Sequence, residues 1–221
     1  MSRTIFVSLA AALAILAAAA GFLVMPSRSS GIPAPGIALT LAEDRAARIS
    51  SLAYDVNLEI PAVRTESIRG KLSASFTLRG ATRPLPFDFA QAPDHVLTVT
   101  VNGRPLQIGT DNGHVVIPAS SLNEGPNTVA FDFRAGDESL NRTDEFLYSL
   151  FVPARASLAM PCLDQPDLKA RWRLSLAVPP GWTAVSNGAE MSGAGRLSQG
   201  PQPVRFVFQE TQPLPSYSLI K

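Results

Sequence analysis

At 221 residues, with 46% hydrophobic and 17% charged side chains, the chain is long enough for one good core and too short for two full-sized domains behind a leader. Its 19 basic and 18 acidic residues give a formal net charge of +1, which argues against nucleic acid as a partner because no basic stripe is available for a row of phosphates. A single cysteine, Cys162, rules out an intramolecular disulfide and a multi-cysteine zinc cage.

Near the start of the chain Arg3 is followed, after Thr4, by the small, apolar run IFVSLAAALAILAAAAGFLVM, with no further charge until Arg28. A short positive start, an apolar stretch and small residues around Ala18 and Gly21 identify residues 1–25 as an export signal. About 20 apolar residues also suffice for a helix to cross a bilayer, so retention as a membrane anchor through residues 5–25 stays open beside cleavage. Both outcomes place the remainder on the far side of the membrane, in the periplasm or outside the cell. Residues 26–40, with SRSSGIPAPG, read as a flexible linker, and residues 41–221 as the folded domain.

Residues 43–48 offer one helical turn, after which the period becomes two. Tyr54, Val56, Leu58 and Ile60 fall on one face, and Asp55, Asn57 and Glu59 on the other, which is the pattern of a half-buried strand. The same alternation returns in GKLSASFTL and PLPFDF. HVLTVTVNGRPLQI predicts a hairpin, because Asn102-Gly103 tolerates the positive φ of a tight turn. HVVIP, NTVAFDF, RWRLSLAVP and VRFVFQE supply further strands, and no helix longer than two turns is expected after residue 40. The fold class is therefore all-β, an antiparallel β-sandwich or curved sheet pair preceded by an N-terminal signal or anchor helix.

Chemistry is sparse. His95 and His114 are the only histidines, each in or beside a strand, and neither begins the H-E-x-x-H helix that sets two imidazoles on one metal. No G-x-S-x-G elbow is present, and no signature links Cys162 to a histidine. The glycine-rich NGAEMSGAGRLSQG lies between strands and reads as a hairpin loop, with no helix to cap a phosphate. The sequon at Asn141 is a three-residue pattern, treated as chance. No catalytic and no metal-binding residue is assigned.

MPCLDQPDLKARWRLSLAVPPGWTAVSNG resembles the signature of the aminopeptidase N-like zinc metallopeptidases. The similarity continues in FQETQPLPSYSLIK, in the opening strands YDVNLEIP, IRGKLSASFTL and FDF, and in AGDESLNRTDEFLYSLFVPARAS, so it covers the chain from about Ile49 onward. The resemblance implies a non-catalytic N-terminal β domain, with a zinc catalytic domain as its missing partner and peptides as substrate of the full-length enzyme. Zinc belongs to that enzyme and no cofactor to this chain. The family's G-x-M-E-N loop and H-E-x-x-H helix are absent; GAEMS has similar letters in the wrong order. The chain stops partway through what resembles the domain's last strand, residues 217–221.

Many family members place a Gln or Glu about nine residues before the proline-cysteine pair, where it helps bind the substrate's N-terminus. Counting back from Pro161 gives Val152, or Leu150 with a two-residue gap, and neither can do this. Asp144 and Glu145 are the nearby carboxylates and weak substrate-side candidates. Pro161, Cys162, Asp164, Gln165, Pro166 and Lys169 form the structural signature. Asp164, Gln165, Asp167 and Lys169 are expected to cap turn amides and pair with one another at a corner, before Trp172, Leu174, Leu176 and Val178 enter the sheet. An alternative reading is a stand-alone exported β module that binds a protein or peptide; a hydrolase using Cys162 ranks below both.

Overall fold

The computed structural model describes residues 33–191 and 202–219. The expected signal or anchor helix, and most of the glycine-rich loop, lie outside the described residues.

The first described element is a helix, α1 (Leu39–Arg48), of 10 residues. It is longer than the single turn expected and takes Leu39 and Thr40 from the proposed linker. Leu, Ala, Glu and Arg favour the helix intrinsically, and Arg48 pairs with Asp44 one turn back at 2.9 Å. The apolar period that would have revealed it is absent because its buried residues are Arg45 and Arg48. Arg48 spends its donors on the carbonyls of Arg79, Gly80, Arg83 and Pro84.

Strands β1 (Ile49–Glu59), β2 (Arg69–Leu78), β4 (Val96–Val101), β5 (Arg104–Leu106), β7 (Gly125–Arg134), β10 (Arg171–Val178) and β11 (Val204–Val207) form one seven-stranded sheet in the order β11-β10-β1-β2-β7-β4-β5. Two smaller pairs complete the β structure, β3 (Leu85–Asp88) with β6 (His114–Ile117), and β8 (Leu140–Arg142) with β9 (Leu147–Ser149). The sheet is mixed, which corrects the antiparallel expectation: β1 pairs with β10 in parallel. Alternating burial reports which face of a strand is covered and carries no information on direction. A strand that arrives after a long crossover has no hairpin to force it antiparallel.

One face of the large sheet is apolar, with Tyr54, Val56, Leu72, Phe76, Phe131, Phe133, Trp172 and Leu174 all buried. The β3–β6 pair packs against it. Phe87 meets Phe76 and Phe131 at ring distances of 6.2 and 5.3 Å, and Phe89 meets Phe133 edge-on at 5.7 Å. Asn102 and Gly103 turn the β4–β5 hairpin with φ of 50° and 79°, the double positive φ of a type I′ turn. Asn112 and Gly113 do the same before β6, at 51° and 78°, a second Asn-Gly turn that the sequence reading passed over. The β8–β9 pair was also missed, since three-residue strands leave too little alternation to recognise.

At the chain's end, Ser216–Ser218 form a 3-10 turn with Leu219 buried behind it, so the expected closing strand does not form over residues 217–219. Glu190 bridges Phe208, and Met191 donates to the Val207 carbonyl at 2.9 Å.

Gly70 sits opposite Phe133 in the β2–β7 pairing, and a Cβ there would enter the Phe133 ring. Phe133 is fully buried and braced by Phe89. Gly70→Ala is therefore expected to lower stability by about 1–3 kcal/mol through overpacking; thermal melting measures it, and an unchanged Tm would mean the ring has room to move.

Candidate functional site

Asp88 ends β3 and is buried, with 3% of its surface exposed. Its backbone bridges Cys162, with its N–H donating to the Cys162 carbonyl at 2.7 Å and the Cys162 N–H donating back at 3.0 Å. Its carboxylate collects four donors. Arg45 of α1 gives Nη2 to Oδ1 at 2.6 Å and Nη1 to Oδ2 at 2.8 Å. His114, opposite Asp88 in the β3–β6 register, gives Nδ1 to Oδ1 at 2.9 Å, and the Asp164 N–H reaches Oδ2 at 2.8 Å. A buried carboxylate needs such saturation, because burying an unpaired charge costs far more than any single bond returns.

The proline-flanked corner is tied to this hub. Asp164 accepts the Ser157 N–H at 2.9 Å and the Ser216 hydroxyl at 2.6 Å, so it joins the corner to the chain's C-terminal turn. Gln165 donates to the Ala42 carbonyl of α1 and to Asp167, both at 2.9 Å. The Leu163 N–H donates to the Tyr54 hydroxyl at 3.0 Å, and the Tyr54 ring stacks on Trp172 at 4.2 Å. Trp172 in turn donates its indole N–H to the Leu214 carbonyl.

Burial alone would raise the Asp88 carboxyl, but the His114 hydrogen bond and the Arg45 charge outweigh it and hold the group below its ordinary range. The hydrogen bond to Asp88 raises His114. Burial pushes the Cys162 thiol well above its ordinary value, with Asp164 and Asp88 adding to it, so the sulfur stays protonated and is a poor nucleophile.

Of the sequence-assigned residues, Pro161, Cys162, Asp164 and Gln165 are buried at the corner, and Pro166, Asp167 and Lys169 are exposed. Lys169 makes no ion pair among the described residues, so the expected ammonium-carboxylate pairing at the corner is corrected: Asp164 is satisfied by an amide and a hydroxyl instead. Asp144 and Glu145 stand exposed in the turn between β8 and β9, apart from the buried hub. Arg45, Asp88 and His114 were not assigned. The signals available were the Asn-Gly turn just before His114 and the three-residue spacing of Arg45 and Arg48.

Among the described residues, no group of three or more His, Cys, Asp or Glu is placed to hold a metal. Zinc does not fit the hub, since Arg45 already supplies the cation to Asp88 and the nearby thiol is held neutral. The arrangement locks structure together and offers no attacking group.

The model of the peptidase M1 N-terminal domain matches residues 50–218. The chain belongs to this family. The resemblance read from about Ile49 onward is thereby confirmed. The chain is 26% identical over 119 residues to leucine aminopeptidase 2 of Pyricularia oryzae, covering 52% of this chain and 19% of that protein. It is 30% identical over 96 residues to human aminopeptidase B, covering 43% and 13% respectively. The fold matches the crystal structure of an M1 zinc metallopeptidase from Deinococcus radiodurans with a TM-score of 0.62 at 17% identity, over 78% of this chain and 41% of that one. This M1 N-terminal domain thus spans less than half the length of the proteins it matches.

Two variants test the lock. Asp88→Ala strands the buried Arg45 guanidinium and is expected to cost about 3–5 kcal/mol. Asp164→Ala strands one amide and one hydroxyl and is expected to cost about 1–3 kcal/mol. Denaturant unfolding ranks them, and equal, negligible losses would remove the hub from the account.

The acid limb follows from the sign of the Asp88 shift. With the folded value depressed, its contribution is fully present above the ordinary value of 3.8 and is lost as pH falls through the folded value. Acid titration of stability should show this loss in the wild type and a smaller one in Asp88→Asn.

Proposed function

We propose that this domain is the non-catalytic N-terminal part of an exported aminopeptidase, whose zinc and bond-breaking groups reside on a catalytic domain outside this sequence. The observation that carries the reading is the family match over residues 50–218, joined to a coverage of only 41% of the Deinococcus radiodurans M1 zinc metallopeptidase. More than half of that solved chain lies beyond the part this chain resembles. The domain's contribution is a rigid wall for peptide substrates, and metal-activated water is the chemistry of the partner domain.

A surface feature supports docking. Phe146, Tyr148, Leu150 and Val152 are 50, 47, 50 and 54% exposed at alternate positions, with the Phe146 and Tyr148 rings stacked at 6.1 Å. Contiguous exposed apolar side chains mark contact surfaces. On this reading Leu150 and Val152, at the positions where the family resemblance places a Gln or Glu, make the wall apolar, and the substrate's amine is held by the catalytic domain alone.

Export rests on Arg3 and the apolar run of residues 5–25, which would deliver the protein to the periplasm or exterior, free or anchored. No helix among the described residues is long and apolar enough to cross a membrane.

The coding sequence beyond Lys221 is expected to encode a G-x-M-E-N loop followed by H-E-x-x-H. The present chain should retain no zinc through dialysis and show no aminopeptidase activity, and the extended protein should gain both. A downstream region without these motifs, or zinc held stoichiometrically by the present chain, would overturn the reading in favour of a stand-alone binding module.

A further inference from the structure

Residues 33–38 run just before α1, beside an open cleft of about 670 Å³ lined by Pro35, Gly36 and Ile37 together with Asp88, Gln91 and Ser157. Pro33 and Pro35 have no N–H to give, so the segment is gripped by its carbonyls. The grips come from the turn before β6 and from the first residue of β6. Asn112 donates Nδ2 to the Pro33 carbonyl at 3.1 Å, and His114 Nε2 lies 3.2 Å from the Ala34 carbonyl. The turn is rigid, because Asp111 and His114 exchange backbone hydrogen bonds of 2.8 and 2.9 Å across Asn112-Gly113.

His114 is therefore clamped between two acceptors. Nδ1 faces a carboxylate oxygen of Asp88 at 2.9 Å, and Nε2 faces a carbonyl oxygen. A neutral imidazole carries one N–H, so it satisfies one of them; only the imidazolium donates to both. We propose that residues 33–38 are a pH-sensitive strap, fastened along the cleft while His114 carries protons on both ring nitrogens and loosened when Nε2 loses its own.

The surroundings fit that cycle. Arg45 from α1 brings one positive charge and Asp88 from β3 one negative charge beside the ring, while the Asp164 carboxylate at the corner is turned to Ser157 and Ser216. Cys162, also at the corner, is neutral; Asp111, on the same turn as His114, keeps its side chain exposed; the strap itself adds no titratable group. Because Asp88 holds Nδ1–H, the proton that leaves is the one on Nε2, after which two lone pairs oppose each other and the Asn112 bond remains as the grip. Asp88 raises the ring above its ordinary value of 6.5, so fastening is complete below that value and is lost as pH rises through the raised one.

Carbon-detected NMR relaxation on the full chain, from about pH 5 to about pH 8.5, reads how firmly the strap is held at Pro33, Ala34, Gly36 and Ile37. The loosened population should rise about tenfold across the His114 titration, the change expected for loss of one charge-assisted hydrogen bond, while β1 and β2 stay flat. Asn112→Ala should loosen the strap at every pH and keep the step; His114→Gln should abolish the step. A flat wild-type profile, or a step that survives His114→Gln, overturns the proposal. Nitrogen-15 spectra of the wild-type imidazole give a check that needs no variant: two protonated ring nitrogens at low pH, with Nε2 titrating in step with the loosening of the strap, support it. A neutral ring at about pH 5, or a proton leaving Nδ1 first, refutes it.

Discussion

The carboxylate of Asp88 is the point on which the described structure turns. A charge this deeply buried is tolerable only when every lone pair is occupied, and four donors from three separate parts of the chain occupy them. Helix α1 supplies an arginine, the β6 turn a histidine, and the corner a backbone amide. Each is held by something else as well, Arg45 by the Pro86 carbonyl and Asp164 by Ser157 and Ser216, so moving any one of them disturbs the rest.

This hub fixes how the final third of the chain enters the sheet. The corner passes beside Asp88 through the Cys162 bridge, takes the Tyr54 hydroxyl at Leu163, and then releases β10 alongside β1 with Trp172 level with Tyr54. The stacked rings close the edge of the core where the two strands run in parallel. A parallel neighbour delivered by a long connection has no turn to set its register, and here the polar corner performs that role.

Such an interior gives the domain rigidity and leaves chemistry to other groups. Its one thiol is neutral and enclosed, its best-placed histidine is committed to two oxygens, and its carboxylates at the hub are saturated. What faces outward is shape: an apolar stripe on and after β9, and a cleft edged by the segment before α1.

The β content, the Asn102-Gly103 hairpin and the buried faces of β1, β2, β7 and β10 were legible because period-two alternation and turn residues are local properties of a chain. The family was legible because its proline-cysteine corner is a contiguous motif. Helix α1 was read as a single turn because its inward face is arginine, and a polar inward face has no hydrophobic period. The direction of β10 against β1, and the meeting of Arg45, Asp88, His114 and Asp164, were decided by tertiary structure alone. Those residues come from positions 45 to 164, and whether a charge is buried and saturated depends on partners that no local pattern names.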